Sequence, residues 1–367
     1  MIGKLVFENL KHHPLRTLLS VLLIGVPAML ILCLVGLSNG MIADSQQRAR
    51  GSGADIMIRG SNAKAMLSQS SATLPDKFID FLDKQPHVAQ AMGLVSHSID
   101  FLLMANGVDL DRFGRMSGGL HYLAGGPFQG PNDVIIDRFY AEQKKKHVGD
   151  TLELMGRPWR VSGIVPGGQL AHVLVPIATM QEMDAATGKF NQLLVKVDDP
   201  ANVQTVIQQL KEKMGDEYPI ISMEEATSQI VESVNKQGLR TFVKVIIGLG
   251  VVIGFLVVTL SMYMAVLQRT REIGILKSLG GSKGFILAII LTEALMLGVG
   301  GTALGIAMSY GARYVIETLQ PASFQVEIAY AWWPRVLAIT LVAAGFGSLY
   351  PGMTAAAHDP IEALAYE

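Results

Sequence analysis

Four stretches of this chain are almost free of charge and long enough to dominate its architecture: residues 18–38, 242–264, 285–310 and 333–350. Each is close to the roughly 20 residues that an α-helix needs to cross a hydrocarbon core about 30 Å thick. The fourth is the most diluted, by Arg335 and several glycines. Between the first and second runs the pattern changes. Residues 55–59, 133–137, 151–155, 159–165 and 192–197 are short apolar or alternating segments bounded by turn residues, which predicts strands. Residues 76–84, 201–214 and 223–238 carry helical spacing instead. Val203, Val206, Ile207 and Leu210 put one apolar stripe on a helix that packs against a sheet.

The pattern therefore predicts an α-helical membrane protein with four transmembrane helices and an α+β domain inserted between spans 1 and 2. Residues 1–38 form an N-terminal amphipathic helix and the first span, and residues 39–240 the inserted domain. Residues 241–367 hold spans 2–4, a short charged segment at 268–284 and a C-terminal tail. An insertion of about 200 residues is long enough to build its own core. Residues 61–73 are small and polar, as in a mobile loop. Ile230, Val234 and Leu239 continue a helical pattern above Phe242, so residues 225–264 are expected to form one long helix rising out of the bilayer.

Charge sets the orientation. Lys4, Lys11 and Arg16 stand against Glu8 before the first span, and Arg269, Arg271, Lys277 and Lys283 against Glu272 between the second and third. Excess lysine and arginine marks the cytoplasmic side, so both segments are expected inside and the inserted domain outside. Arg313 against Glu317 and Glu327 suits an outer position for the loop between spans 3 and 4. Four spans return the C-terminus to the cytoplasm. Ile2, Leu5, Val6 and Leu10 share a face apart from Lys4, Glu8 and Lys11, as in a short amphipathic helix on the inner leaflet.

Composition excludes several classes. Of 367 residues 50% are hydrophobic and 17% charged, with a net charge of -1 and no basic run interleaved with aromatics, so no nucleic-acid partner is expected. Lys144, Lys145 and Lys146 read as a solvated face. Cys33 is the only cysteine, which excludes an internal disulfide and a multi-cysteine metal site. The first apolar run is longer than a signal-peptide core and lacks a small-x-small cleavage site after Asn39, so it is expected to be an uncleaved span. The sequence has no phosphate-cradling loop, no His-Glu-x-x-His and no Gly-x-Ser-x-Gly. No catalytic centre, metal or bound cofactor is expected on this chain.

The membrane part carries the candidate sites. Glu293 interrupts the third run, where a carboxylate must find a protein partner; it is expected to bond a neighbouring helix, with proton or substrate handling as the other reading. Gly250, Gly254, Gly301 and Gly305 are spaced by four, which lets helix backbones approach closely. In the charged segment, Ile273, Ile275, Leu276 and Leu279 recur at helical spacing, with Arg269, Arg271 and Glu272 as a charged rim and Gly280 after them. Such a helix can dock in a partner's groove, with Leu276 as an anchor and Glu272 as an orienting charge.

Gln268-Arg-Thr-Arg-Glu-Ile-Gly-Ile-Leu-Lys-Ser-Leu-Gly280 is similar to the cytoplasmic coupling segment of the MacB/FtsX-type permeases, the type VII or mechanotransmission class of ABC transporters. Glu8-Asn-Leu-Lys-His-His-Pro-Leu-Arg-Thr-Leu-Leu19 resembles that family's entry into the first span. Glu293-Ala-Leu with Gly300, Gly301 and Gly305 resembles its third span, and Asp359-Pro-Ile-Glu-Ala-Leu364 its end. Val148-Gly-Asp-Thr-Leu-Glu-Leu and Trp159-Arg-Val-Ser-Gly-Ile-Val165 resemble its periplasmic core domain. Gly352-Met-Thr-Ala-Ala-Ala-His358 departs from the family, which usually carries basic residues there.

The resemblance implies a homodimer of permeases in the bacterial cytoplasmic membrane, with both termini inside. It implies a separate cytoplasmic ABC ATPase dimer that holds the ATP and Mg and engages the coupling segment, and in some members a periplasmic adaptor. The implied function is transmission of ATP hydrolysis to the outside, for efflux or extraction of a hydrophobic or amphipathic substrate. The alternative is a transducer that regulates an extracytoplasmic enzyme, such as a cell-wall hydrolase, and transports nothing.

Overall fold

The computed structural model describes residues 14–60, 74–99, 103–236, 239–322 and 325–357, together with Gly3, Val6, Glu8, Lys11 and His12. Two compact units result. Met1–Asn39, Leu239–Val315 and Val326–Glu367 form a helical unit, and Gly40–Gly238 with Ile316–Gln325 an α+β unit. Helix α1 (Pro14–Gly51) is 38 residues long, well beyond what a bilayer requires, and its last turns from Gly40 belong to the α+β unit.

The α+β unit continues with β1 (Ile56–Arg59), β2 (Leu74–Pro75), α2 (Lys77–Leu82), β3 (Val88–Ser98), β4 (Met104–Val108), α3 (Leu110–Ser117), β5 (Ala124–Gly125), β6 (Asp133–Asp137) and α4 (Arg138–Lys144). There follow β7 (Thr151–Leu154), β8 (Arg157–Val165), β9 (Val173–Pro176), α5 (Ile177–Met183), β10 (Lys189–Phe190), β11 (Gln192–Val197), α6 (Val203–Met214), β12 (Ile220–Ser222) and α7 (Met223–Lys236). Ten strands make one mixed sheet in the order β12-β1-β11-β3-β4-β9-β6-β8-β5, with β7 paired to β8. The β4/β9 and β6/β8 pairs are parallel and the remaining pairs antiparallel.

Both faces of the sheet are covered, and the two-residue period of the strands distributes side chains between two cores. Ile56, Ile58, Leu193, Val195, Val134, Ile136, Val173 and Val175 enter one core with Trp159 and with Val206, Ile207 and Leu210 of α6. The intervening Leu194, Ile135 and Leu174 enter the other, with Phe113 and Met116 of α3. Strand β3 is not legible as a strand, because Gln90, Gly93, Ser96 and His97 break its apolar pattern. It nevertheless lies between β11 and β4. Gly93 is required there, since a Cβ would stand 2.4 Å from the Phe190 ring.

The helical unit is completed by α8 (Leu239–Gln268), α9 (Thr270–Ser278), α10 (Lys283–Leu319) and α11 (Trp333–Ala357). Among the described residues, four helices are long and apolar enough to cross a membrane: Pro14–Gly51, Lys244–Gln268, Lys283–Leu319 and Tyr330–Ala357. Helix α10 crosses α1 at its glycines. A Cβ on Gly301 would lie 2.5 Å from Ile24, and one on Gly305 2.7 Å from both Ala28 and the Gly25 carbonyl. Gly250 and Gly254 sit more loosely, with Pro27 at 3.4 Å and Ala343 at 3.9 Å respectively. Ser20 and Ser261 at 2.7 Å, and Thr302 and Thr340 at 2.6 Å, add hydrogen bonds between helices. Ahead of α1, Val6 is buried whereas Glu8, Lys11 and His12 are exposed, and all four are helical. Ile2, Leu5 and Leu10, residues 61–73, the junction of α7 and α8 at 237–238, and the Asp359 to Leu364 motif lie outside the described residues.

Candidate functional site

Helix α9 is short because its ends are specified. Arg269 breaks the helical run with φ -119°, ψ 20°, and Glu272 in the first turn and Lys277 in the last match the helix dipole. At the other end Gly280 takes φ +94°, and the Gly281 N–H donates to the Leu276 carbonyl at 2.9 Å. Ser282 then receives the Phe285 N–H at 3.2 Å and caps α10.

The two faces of α9 differ. Gly274 is buried, and Ile273 and Leu276 are half-buried against Val266, Ile286 and Ile290. The Lys277 ammonium donates to the Ala356 carbonyl at 2.8 Å, tying α9 to α11. Ile275 is 44% exposed and Leu279 80%, with Arg271 and Glu272 exposed beside them. The apolar residues named from the sequence therefore divide: Ile273 and Leu276 face their own bundle, and Ile275 and Leu279 face away.

Glu293 is buried, at 3% exposure, between two arginines. Arg16 donates to one carboxylate oxygen at 3.0 Å, and Arg269 lies 3.5 Å from the other. Arg16 also donates to Gln268 at 3.2 Å. Arg16 is the third residue of α1 and Arg269 immediately follows α8. The carboxylate thus belongs to a collar at one end of the bundle rather than to its middle. Helix α10 has 37 residues, and the turns from Lys283 to Glu293 lie on the α9 side of that collar.

Beside the collar is a groove of about 300 Å³. Its walls are the end of α8 (Met262, Ala265, Val266), the start of α10 (Ile286, Ile289, Ile290) and residues of α9 from both its half-buried and its exposed side (Ile273 and Leu276, Glu272 and Ile275). Arg269, Glu272 and Glu293 are its charged lining residues.

A second ionic network, in the α+β unit, has no counterpart in the sequence reading. Arg48, on the last turns of α1, pairs with Asp44 one turn earlier and hydrogen-bonds His172 Nε2. His172 Nδ1 donates to Asp137 at 2.5 Å, and Asp137 accepts the Tyr140 N–H at 2.8 Å as the N-cap of α4. Nε2 therefore acts as acceptor and the imidazole is neutral. Burial lowers the His172 pKa, the nearby Asp137 opposes that shift, and Arg48 adds to it. Asp44 also accepts from Gln325 at 3.2 Å. The one sequence signal was the Asp44/Arg48 spacing, which puts opposite charges on one helical face.

Four apolar helices and an inserted α+β sheet define a membrane protein with an extracytoplasmic domain. Residues 17–213 match the MacB-like periplasmic core domain and residues 244–360 the FtsX-like permease C-terminal family. The chain belongs to the MacB/FtsX-type permease family. It is 28% identical over 237 residues to the uncharacterized ABC transporter permease YknZ of Bacillus subtilis, a match covering 60% of this chain and 55% of that protein. It is 25% identical over 396 residues to the macrolide export ATP-binding/permease protein MacB of Salmonella paratyphi A, covering 97% of this chain and 59% of that one. The chain thus spans less than two thirds of these relatives.

Among solved structures it is similar to the periplasmic region of MacB from Actinobacillus actinomycetemcomitans, with 19% identity, a TM-score of 0.37 and coverage of 49% of this chain and 94% of that one. The extracellular domain of the noncanonic ABC-type transporter YknZ gives 16% identity, a TM-score of 0.35 and coverage of 46% and 99%.

Proposed function

We propose that this chain is the permease subunit of an ABC transporter and transmits ATP hydrolysis on a separate cytoplasmic ATPase to its extracytoplasmic domain. The work done outside is efflux or extraction of a hydrophobic or amphipathic molecule. The observation that carries this reading is the two-faced geometry of α9. One face is fastened to the bundle by Ile273, Leu276 and the Lys277 to Ala356 bond, while Ile275 and Leu279 stand free with Arg271 and Glu272. A helix held in this way moves with the bundle when a partner grips its free face.

The reading places the α9 side in the cytoplasm, where the basic residues Arg269, Arg271, Lys277 and Lys283 belong, in a bacterial cytoplasmic membrane. Two copies act together, ATP and Mg are bound by the ATPase, and a periplasmic adaptor completes the efflux route. The name of the MacB relatives, macrolide export ATP-binding/permease protein, supports the efflux reading.

The test is copurification of the tagged permease with its ATPase. Leu279→Asp is expected to reduce the recovered ATPase about tenfold, some 1.4 kcal/mol of docking energy, with normal permease levels. Unchanged recovery would remove α9 from the interface.

A further inference from the structure

The helical unit carries a charged level at one end and an aromatic level at the other, separated by the same interval on three helices. The charged level is the collar of Arg16, Arg269 and Glu293. At the aromatic level Tyr310 of α10 packs edge-on against Trp333 at the start of α11, with ring centroids 6.4 Å apart, and Tyr330 lies 5.1 Å from the same indole. Cys33 of α1 lines one small pocket with Tyr310 and Trp333. Cys33 is 17 residues beyond Arg16, and Tyr310 is 17 beyond Glu293. On α11, Tyr350 is 17 residues beyond Trp333. Close to Tyr350, a Cβ on Gly352 would lie 3.6 Å from Ile290, on the turn of α10 before Glu293. At about 1.5 Å per residue the common interval is about 26 Å.

That interval has the surface of a lipid-facing band. No charged residue lies between positions 16 and 33 of α1, 293 and 310 of α10, or 335 and 350 of α11. Its exposed side chains are apolar, with Leu18, Leu22 and Leu30 on α1, Val299 on α10, and Val342 and Phe346 on α11. Charge returns beyond the aromatic edge: Arg313 and Glu327 line the pocket with Tyr310 and Trp333, and the Arg335 guanidinium stands 5.2 Å over the Trp332 ring. A hydrocarbon core is about 30 Å thick, and arginine and aromatic side chains reach outward far enough to cover the remaining few ångströms. Tryptophan and tyrosine join an apolar ring to a polar tip, which favours them where acyl chains meet water. Tyr330 is 60% exposed and Tyr310 42%, so packing within the chain does not consume these rings.

We infer that Tyr310, Tyr330, Trp332 and Trp333, with Arg335, form an anchor that docks in the headgroup layer of a phospholipid bilayer. The rings lie at the glycerol level and the Arg335 guanidinium at the phosphates. The anchor sets the depth of the bundle: α1 leaves the hydrocarbon at Cys33, and the collar of Arg16 and Glu293 lies at the opposite boundary. The inference rests on the reading of the apolar helices as spans and does not involve the ATPase.

The test reads tryptophan depth. The purified full chain is reconstituted in phosphatidylcholine vesicles that carry a nitroxide either on the headgroup or at the end of the acyl chain. Trp159, fully buried in the α+β unit, is a constant background, measured on its own in the Trp332→Phe/Trp333→Phe variant. The difference signal, from Trp332 and Trp333, is expected to be quenched more by the headgroup nitroxide than by the chain-end one. Two probes added to that variant calibrate the span. Val342→Trp, at an exposed position midway between Trp333 and Tyr350, should reverse the ratio, and Tyr350→Trp should restore it. Thermal unfolding in detergent verifies that each variant is folded. Stronger chain-end quenching of Trp332 and Trp333 would overturn the inference by moving the boundary along α11. Iodide quenching without lipid quenching would put the cluster in water, and protection from both would give it to a protein contact; either result also overturns it. A Tyr350→Trp probe quenched most from the chain end would remove the far boundary. None of these outcomes bears on docking at α9, which the Leu279→Asp copurification tests separately.

Discussion

Two buried ionic networks, one in each unit, differ in which charge is in excess. In the helical unit one carboxylate, Glu293, meets two guanidiniums. In the α+β unit one guanidinium, Arg48, stands among Asp44, His172 and, beyond the imidazole, Asp137. The first network is built of arginine–carboxylate contacts and acts as a clasp joining α1, α10 and the end of α8. The second contains a group that burial keeps neutral and that acid can charge. It fixes the last turns of α1 to the sheet through a linkage whose strength depends on pH. The same class of interaction therefore fastens helices through arginine and carboxylate at one site and through a titratable imidazole at the other.

The sharpest way to break this comparison is to remove the clasp. Glu293→Leu leaves two guanidiniums facing each other in a largely buried site, and unpairing buried charges costs about 3–5 kcal/mol. That exceeds the roughly 1 kcal/mol of a single interhelical hydrogen bond, the scale suggested by a lone carboxylate in an apolar run. Thermal unfolding in detergent should show a large loss for Leu and a smaller one for Gln, which still accepts hydrogen bonds. A Leu variant as stable as the wild type would mean that the arginines do not depend on Glu293.

A smaller effect is expected at the α1/α10 crossing, farther along α10. Gly305→Ala would place a Cβ 2.7 Å from Ala28 and from the Gly25 carbonyl, and overpacking of this kind costs about 1–3 kcal/mol. Gly254→Ala, whose nearest neighbour would be 3.9 Å away, should be close to neutral in the same assay. Equal effects would show that the α1/α10 crossing relaxes freely.

Next in size is the titratable network. Burial holds His172 below its ordinary pKa of 6.5, so as pH falls the unfolded chain takes up this proton before the folded one. Its contribution to stability is present in full above about pH 6.5 and is lost as pH falls toward the folded pKa, by at most about 1.4 kcal/mol per pH unit. The stability difference between wild type and His172→Gln, followed by thermal unfolding from neutral to acid pH, should shrink accordingly. A difference independent of pH would mean that the imidazole is not held neutral.

The smallest stability effect belongs to the free face of α9. Leu279→Asp should change stability by less than about 0.5 kcal/mol, whereas Leu276→Asp, on the face toward Ile286 and Ile290, should cost more. If the two aspartates were equally mild, α9 would not be fastened by its inner face.

Much of the fold could be read along the chain. The apolar runs anticipate the four long helices, and the stripe of Val203, Val206, Ile207 and Leu210 anticipates a helix on a sheet, because length and period are local properties. Strand β3 escaped because its polar residues are tolerated by neighbours on both sides. The depth of Glu293 escaped for a different reason. Its apolar run is continuous, but α10 is 37 residues long, and hydropathy does not show where along such a helix the bundle ends.

The segment 268–280 was legible as a short two-faced helix between spans, but which face is free was not. That choice rests on Val266, Ile286 and Ile290 closing over Ile273 and Leu276. The His172 network was almost invisible, since its partners Arg48 and Asp137 lie 124 and 35 residues away. Hydrophobic length, period and charge spacing were enough to determine the spans, the α+β insertion and the segment between spans 2 and 3. The tertiary structure alone decided how the charges pair, because an ion pair such as Arg16 with Glu293, 277 residues apart, exists only after helices have packed.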